Sequence, residues 1–102
     1  MSIVERPFVD ADFPRLFDLL AACLLAGYVD MELLSTNLRL TLTNPDFDRR
    51  NTLLLESDDR LEAFALLWQG RYLGMLVHPS QRGQLEGRVL SWAERRISVS
   101  DV

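Results

Sequence analysis

The chain has 102 residues, 48% of them hydrophobic and 25% charged, a balance that is typical of one globular domain and argues against disorder. Its net charge of −4 argues against a general nucleic-acid or anionic-membrane surface. All eleven basic residues are arginines, which rules out a lysine Schiff base. One histidine and one cysteine cannot form the usual kind of zinc site, so no metal is expected. A lone cysteine is typical of a reducing cytoplasm, the location that the sequence predicts.

The first half of the chain predicts one strand and two helices. A short strand is expected at residues 3–8. Asp12 is predicted to cap a helix with apolar residues at a period of 3.6, and Gly27 to end that helix. Asp30 is predicted to cap a second helix, which Asn44 and Pro45 stop.

The second half predicts three strands and a helix. Strands at residues 52–56, 61–68 and 72–77 are separated by short turns, a pattern typical of an antiparallel meander. The last two strands are apolar on both faces, as expected of strands that are covered on both sides. A helix follows from about residue 83 to residue 97. Its expected inward side chains are Leu85, Val89, Leu90, Ala93 and Ile97.

The junction between the fourth strand and the third helix carries the strongest chemical signal. A turn punctuated by Pro79 and bearing Arg82 and Gly83 opens directly into the helix. Such a turn directs several backbone N–H groups at one point, and the helix dipole adds positive potential there. Phosphate groups bind at such places, so the sequence predicts an anion site at this junction.

The element order β-α-α-β-β-β-α, with a V-H-P-x-x-R-G-x-x-x-G turn, resembles the GCN5-related N-acetyltransferase family. The resemblance implies an α+β fold of the acyl-CoA N-acyltransferase type, with a mainly antiparallel sheet. In the family's Arg/Gln-x-x-Gly-x-Gly/Ala signature, Arg82 matches the first position and Gly87 the last. Leu85 stands at the position of the first glycine, whose missing Cβ lets phosphate approach the backbone.

The resemblance further implies acetyl-CoA as co-substrate and an amine as acceptor. The fourth strand would offer backbone groups to the pantetheine amides through Met75, Leu76 and Val77. The turn would hold the pyrophosphate. Its predicted residues are Arg82, Gly83, Gln84, Leu85, Glu86, Gly87 and Arg88.

No catalytic residue is assigned, because the fourth strand carries no carboxylate. His78 is expected to be a structural turn residue and Cys23 a small buried apolar one. Glu56 and Glu62 flank a turn and are expected to be solvated. Trp68 and Trp92 are expected in the core or an interface.

The predicted domain, residues 1–102, ends after its third helix and lacks the C-terminal β-α-β part of the usual fold. We therefore expect the fourth strand to form an exposed apolar edge, of the kind that recruits a second chain, and a homodimer through it. Two functions remain open. One is acetyl transfer from acetyl-CoA to an amine. The other is a non-catalytic dimerising or CoA-sensing module on the same scaffold.

Overall fold

The computed structural model describes residues 3–27, 35–58, 60–68 and 72–100. The predicted element order is confirmed. The strands are β1 (Val4–Arg6), β2 (Thr52–Glu56), β3 (Leu61–Trp68) and β4 (Tyr72–Val77), and the helices are α1 (Phe13–Leu25), α2 (Ser35–Thr43) and α3 (Glu86–Ser100). The four strands form one antiparallel sheet in the order β1-β2-β3-β4. Within the described ranges, no helix is long and apolar enough to cross a membrane.

The sheet separates two apolar cores. Alternate residues of β3 point to opposite faces, so Phe64 and Leu66 pack with buried side chains of α1 and α2. Ala63, Ala65 and Leu67 pack with α3 on the other face. The prediction that β3 is covered on both sides is therefore confirmed. The β4–α3 junction follows the end of β4, and residues 78–84 of its turn lie outside both cores, whereas Leu85 belongs to the α3-side core.

Strand β1 is shorter than predicted, because Pro7 ends its pairing with β2. The ladder joins Val4, Glu5 and Arg6 to residues 54–56. Pro7 has no N–H to donate to a ladder. The N–H of Phe8 donates instead to the Thr52 Oγ1 hydroxyl at 2.8 Å. The chain leaves the sheet there and turns into α1.

Asp12 precedes α1, as predicted, but its carboxylate does not cap the helix. It accepts two hydrogen bonds from the Arg6 guanidinium, at 2.8 and 2.6 Å, and one from the Val9 N–H at 2.9 Å. These donors lie before the helix, so they draw the carboxylate away from the first turn of α1. Gly27 follows α1 with φ of 77°, which confirms it as the residue that ends the helix. The predicted cap Asp30 lies outside the described residues.

Glu56 is not a solvated carboxylate, contrary to the expectation from sequence. Its Oε1 accepts from Arg6 Nε at 2.7 Å, and its Oε2 accepts from Arg15 Nη1 at 2.8 Å. Hydrogen bonds from Arg6 and then from Arg15 hold its pKa below the ordinary value. The Arg6 guanidinium therefore joins Asp12, which precedes α1, to Glu56 of β2. The side chains of Arg6, Asp12, Arg15 and Glu56 are called here the Arg6 network.

Helix α3 begins at Glu86, three residues later than predicted, because Gly83 has a φ of 85° that no right-handed helix accommodates. Its buried face is formed by Leu85, Val89, Trp92 and Ala93. Leu90 and Ile97, predicted to face inward, are 46% and 36% exposed. At 3.6 residues per turn both lie roughly 100° from the centre of the buried stripe.

Strand β4 forms one edge of the described sheet, since β3 is its single pairing partner there. Leu76 and Val77 are nevertheless buried by the two cores, and Leu73 and Met75 are half-buried. The open surface at this edge is therefore mainly backbone. Homodimerisation through the β4 edge stays a prediction.

Candidate functional site

The turn that follows β4 is held by His78 and Pro79. The His78 N–H donates to the Glu62 carbonyl oxygen at 2.8 Å, and the His78 carbonyl accepts from the Gln81 N–H at 2.8 Å. The His78 Nδ1 accepts from the Ser80 N–H at 3.2 Å. Burial and then the charge of Arg60 lower the pKa of His78, so the ring is neutral at pH 7. These contacts agree with the predicted role of His78 as a turn residue.

A buried carboxylate anchors the same turn to β3. Glu62 is 1% exposed, so the expectation that it is solvated is wrong. Arg60 Nε donates to Glu62 Oε1 at 2.6 Å, and Arg60 Nη2 donates to the Ser80 hydroxyl at 2.6 Å. Burial acts to raise the pKa of Glu62, but the bonds and charge of Arg60 outweigh it and the pKa is lowered. The sequence held one signal for this contact, since Arg60 stands immediately before β3 and only two residues from Glu62.

The turn then forms a cluster of backbone donors around one carboxylate. Glu86 Oε1 accepts from the Gly83 N–H at 2.7 Å. The N–H of Gly83, and next those of Glu86 itself and Leu85, hold the pKa of the Glu86 carboxyl below its ordinary value. These three N–H groups, of Gly83, Leu85 and Glu86, are called here the N–H cradle. The sequence predicted such donors at the helix start. In the structure the Gly83 N–H is bonded to the carboxylate, and the Leu85 N–H donates to the Gln81 carbonyl oxygen at 3.4 Å.

The role of Glu86 itself was missed at the level of sequence. It was expected only as one of the residues near the pyrophosphate. Its spacing from Gly83 is three residues, which is the spacing at which a glutamate reaches back to an N–H in a capping box. That spacing was the signal that could have revealed the contact.

The two residues that match or replace the family glycines behave differently from one another. Leu85, which stands in place of the first glycine, is 6% exposed, and its side chain packs in the α3 core with Val89 and Trp92. It therefore points away from solvent. Gly87 is exposed, and a Cβ built on it would meet no atom within 4 Å. Open space lies beside the backbone at Gly87.

Three predicted residues of the turn remain: Arg82, Gln84 and Arg88. Arg82 and Gln84 are exposed, and the charge of Arg82 contributes to lowering the pKa of Glu86. Arg88 Nη2 instead donates to Glu5 Oε1 on β1 at 3.0 Å. Its N–H donates to the Leu85 carbonyl at 3.0 Å. The Arg88 guanidinium is thus paired with β1 across the α3 face of the sheet, and its contact with a pyrophosphate stays a prediction.

The pairing register decides which backbone groups β4 can offer. The His78 N–H donates to the Glu62 carbonyl, so His78 and Glu62 are a hydrogen-bonded pair. In an antiparallel ladder such pairs recur at every second residue, and Leu76 with Phe64 is therefore the next hydrogen-bonded pair. The Leu76 N–H and carbonyl therefore face β3. Met75 and Val77 have theirs on the open edge, and the Val77 carbonyl accepts from the Cys23 thiol at 3.3 Å. Of the three predicted residues, Met75 has both backbone groups on the open edge and Val77 has its N–H there, because the Val77 carbonyl is bonded to Cys23.

Cys23 is fully buried, which confirms its predicted place as a small apolar residue. Burial raises the pKa of its thiol, so the group is protonated at neutral pH. Among the described residues, no cluster of three or more histidine, cysteine, aspartate or glutamate side chains is suited to hold a metal ion. Trp92 is 8% exposed in the α3 core, and the half-buried Trp68 stacks on Phe47 at 5.2 Å. Both tryptophans are core residues, as predicted.

A second open cleft, of about 470 Å³, lies between β1, β2 and α3. It is lined by three arginines, but each of its main charges has a partner in the protein. Arg6 belongs to the Arg6 network, and Arg50 forms an ion pair with Asp48 at 2.9 Å. Arg96 Nε donates to Asn51 Oδ1 at 2.8 Å. The charges of this cleft are therefore paired within the fold, as the Gly83 N–H of the cradle is, and the cleft lies away from the β4–α3 junction.

The two glycines of the turn should respond in opposite directions to alanine. Gly83→Ala should lower the free energy of unfolding by about 1 kcal/mol, because a Cβ is strained at φ of 85°. Gly87→Ala should raise it by about 0.5 kcal/mol, because the site is helical and open and alanine is the better helix former. Urea unfolding followed by tryptophan fluorescence measures both values. A loss of stability in Gly87→Ala would contradict the geometry at that residue.

No family model matches the sequence, and a search of curated proteins finds no match either. Solved structures do match. A GCN5-related N-acetyltransferase from Sphaerobacter thermophilus superposes with a TM-score of 0.68 at 23% identity, over 96% of this chain and 33% of that chain. A GNAT family acetyltransferase from Staphylococcus aureus subsp. aureus USA300_TCH1516 superposes with a TM-score of 0.59 at 22% identity, over 96% of this chain and 79% of that one.

The fold is that of the GCN5-related N-acetyltransferases. The predicted fold class is thereby confirmed. This chain spans a third of the length of the Sphaerobacter protein. Within this fold, the β4–α3 junction is where the Gly83 N–H donates to a carboxylate at the start of α3.

Proposed function

We propose that the chain binds acetyl-CoA at the β4–α3 junction and transfers its acetyl group to an amine. The observation that carries the proposal is the N–H cradle. Directly after β4, in an acetyltransferase fold, the Gly83 N–H donates to the Glu86 carboxylate at 2.7 Å, and the N–H groups of Leu85 and Glu86 help to lower the pKa of the same carboxyl. A pyrophosphate oxygen requires the same donors as a carboxylate oxygen.

Two further features fit this ligand. Gly87 has no packing reason to be a glycine, since its Cβ position is open, whereas close approach of a phosphate to the backbone would require one. Met75 and Val77 carry backbone groups on the open edge of β4, where they can hydrogen-bond the amides of pantetheine. The diphosphate and the pantetheine arm of acetyl-CoA would thus meet adjoining parts of one junction.

The chemistry of the proposed transfer is direct. The amine nitrogen attacks the thioester carbonyl, a C–N bond forms, and the C–S bond breaks. The proton that the nitrogen loses balances the thiolate, so the products are an acetamide and the free thiol of CoA. In this chain β4 carries no carboxylate, and the neutral His78 ring is tied to Ser80. No side chain is assigned as the base.

Titration calorimetry with acetyl-CoA tests the proposed site. The wild-type chain should bind, and Gly87→Asp should weaken binding at least about 100-fold, because it adds a side chain and a like charge beside the diphosphate. Ala21→Asp is the matched control, since it adds the same charge at an exposed position of α1. Its affinity should stay within about twofold of wild type. Equal affinities in all three proteins, or no binding to the wild type, would overturn the proposal.

A second measurement separates catalysis from sensing. The absence of a carboxylate on β4 favours the alternative, a CoA-sensing module without transfer activity. Release of free thiol from acetyl-CoA in the presence of amines, detected with a thiol reagent, supports transfer. Binding without amine-dependent thiol release supports the sensing module instead.

A further inference from the structure

The N–H cradle has an occupant that belongs to the chain itself. The Glu86 carboxylate accepts from the Gly83 N–H at 2.7 Å, whereas the neighbouring Leu85 N–H donates to the Gln81 carbonyl oxygen at 3.4 Å. Two anions cannot share one set of donors, because like charges at contact repel and each donor serves mainly one acceptor. A phosphate that binds the cradle must therefore displace this carboxylate.

The position of Glu86 in the turn brings its carboxylate to the Gly83 N–H. It lies between Leu85 and Gly87, at a variable position of the Arg82-x-x-Leu85-x-Gly87 pattern. The Gly83 turn, with φ of 85°, directs the Gly83 N–H back towards the first residue of α3. A neutral residue at position 86 would leave the same donors without a charged partner.

We propose that the Glu86 carboxylate is an internal competitor of the acyl-CoA diphosphate, which must leave the N–H cradle before the cofactor binds there. This inference rests on the proposed function. It makes Glu86 a positioning residue that sets the affinity of the site and takes no part in the transfer. If Glu86 served only as a helix cap, its replacement would alter the stability of the fold and leave the affinity for acetyl-CoA unchanged. If it competes with the diphosphate, its replacement changes that affinity.

Calorimetric titration with acetyl-CoA distinguishes the two roles. Glu86→Gln keeps the length of the side chain and a carbonyl acceptor for the Gly83 N–H, so the turn is preserved while the charge is removed. Acetyl-CoA should bind this variant about tenfold more tightly than wild type, since a charged acceptor holds an N–H roughly twice as strongly as a neutral one. Glu94→Gln makes the same charge change at an exposed position two turns along α3. Its affinity should stay within about twofold of wild type.

Equal affinities of wild type and Glu86→Gln would overturn the competition while leaving the acetyl-CoA site intact. An equal gain in Glu94→Gln would overturn it too, because the effect would then come from net charge. Absence of binding in every variant would overturn both the inference and the proposed function.

An NMR measurement tests the contact independently of acetyl-CoA. Before ligand is added, the Gly83 amide proton should shift as Glu86 is protonated, at a pH below the ordinary glutamate value of 4.5, and should not titrate in Glu86→Gln. A Gly83 amide that ignores the charge of Glu86 would overturn the inference even where acetyl-CoA binds.

Discussion

Replacing Arg6 with methionine should lower the free energy of unfolding by about 3 kcal/mol. Breaking a buried ion pair costs about 3–5 kcal/mol, and the lower end applies because the Arg6 side chain is 30% exposed and partly screened by water. The loss falls mainly on Asp12, which is 3% exposed and would keep only the Val9 N–H as a hydrogen-bond donor. Methionine preserves the apolar stem of the side chain, so the change isolates the guanidinium.

Arg15→Met is the matched control for Arg6→Met. Arg15 donates one hydrogen bond to Glu56, whose side chain is 18% exposed and keeps its bonds from Arg6. We expect a loss below about 1 kcal/mol for this control. Urea unfolding at pH 7 measures both variants. A cost at Arg15 equal to that at Arg6 would contradict the dominant role of Arg6 in the network.

The same network predicts the pH dependence of stability. The pKa of Asp12, through its hydrogen bonds from Arg6, and the pKa of Glu56 both lie below their ordinary values of 3.8 and 4.5. A carboxyl with a lowered pKa in the folded state stabilises the fold above its ordinary value, and this contribution is lost as the pH falls through the lowered value. The difference in stability between wild type and Arg6→Met should therefore shrink as the pH falls below 4.

Phe64→Ala should cost about 3–5 kcal/mol, the range for truncation of a buried phenylalanine. Phe64 is fully buried at the centre of the sheet, opposite Leu54 on β2 and Leu76 on β4. Its ring meets Phe8 edge-to-face at 6.3 Å, so the cavity would open between the sheet and the approach to α1. A domain of this size is stable by about 5–15 kcal/mol, so the variant should retain only a small margin.

Leu90→Ala is the control for Phe64→Ala, and it also tests the orientation of α3. Leu90 is 46% exposed, although its place in the sequence suggested the core. Its truncation should cost less than about 1 kcal/mol. Should Phe64→Ala fail to fold, Phe64→Leu leaves a smaller void and can be measured by the same urea unfolding. A cost at Leu90 equal to that at Phe64 would mean that α3 packs by another face.

The acetyltransferase-like turn was predictable because its signal is local. A strand that ends in His78 and Pro79, a glycine at Gly83 and an amphipathic helix are consecutive in the chain. Local backbone preferences therefore determine where the N–H groups meet. The same locality explains why the strand and helix order was predicted, while the ends of β1 and α3 shifted by a few residues at Pro7 and Gly83.

The partners of the charged side chains were decided by the tertiary structure. Arg88 meets Glu5, which is 83 residues away in the chain, and Arg6 meets Glu56 at a separation of 50 residues. Glu62 is buried because the β4 turn closes over the start of β3. Long side chains have several rotamers and several possible partners, so their pairing depends on which strands are neighbours.

The amino-acid sequence by itself determined the element order, the two-sided apolar character of β3 and the Gly83 turn before α3, because each arises from residues adjacent in the chain. Only the tertiary structure decided that Arg88 pairs with Glu5 on β1 and that Leu90 and Ile97 lie outside the buried face of α3. Those outcomes depend on the angle at which α3 meets the sheet, and that angle is set by packing between residues far apart in the chain.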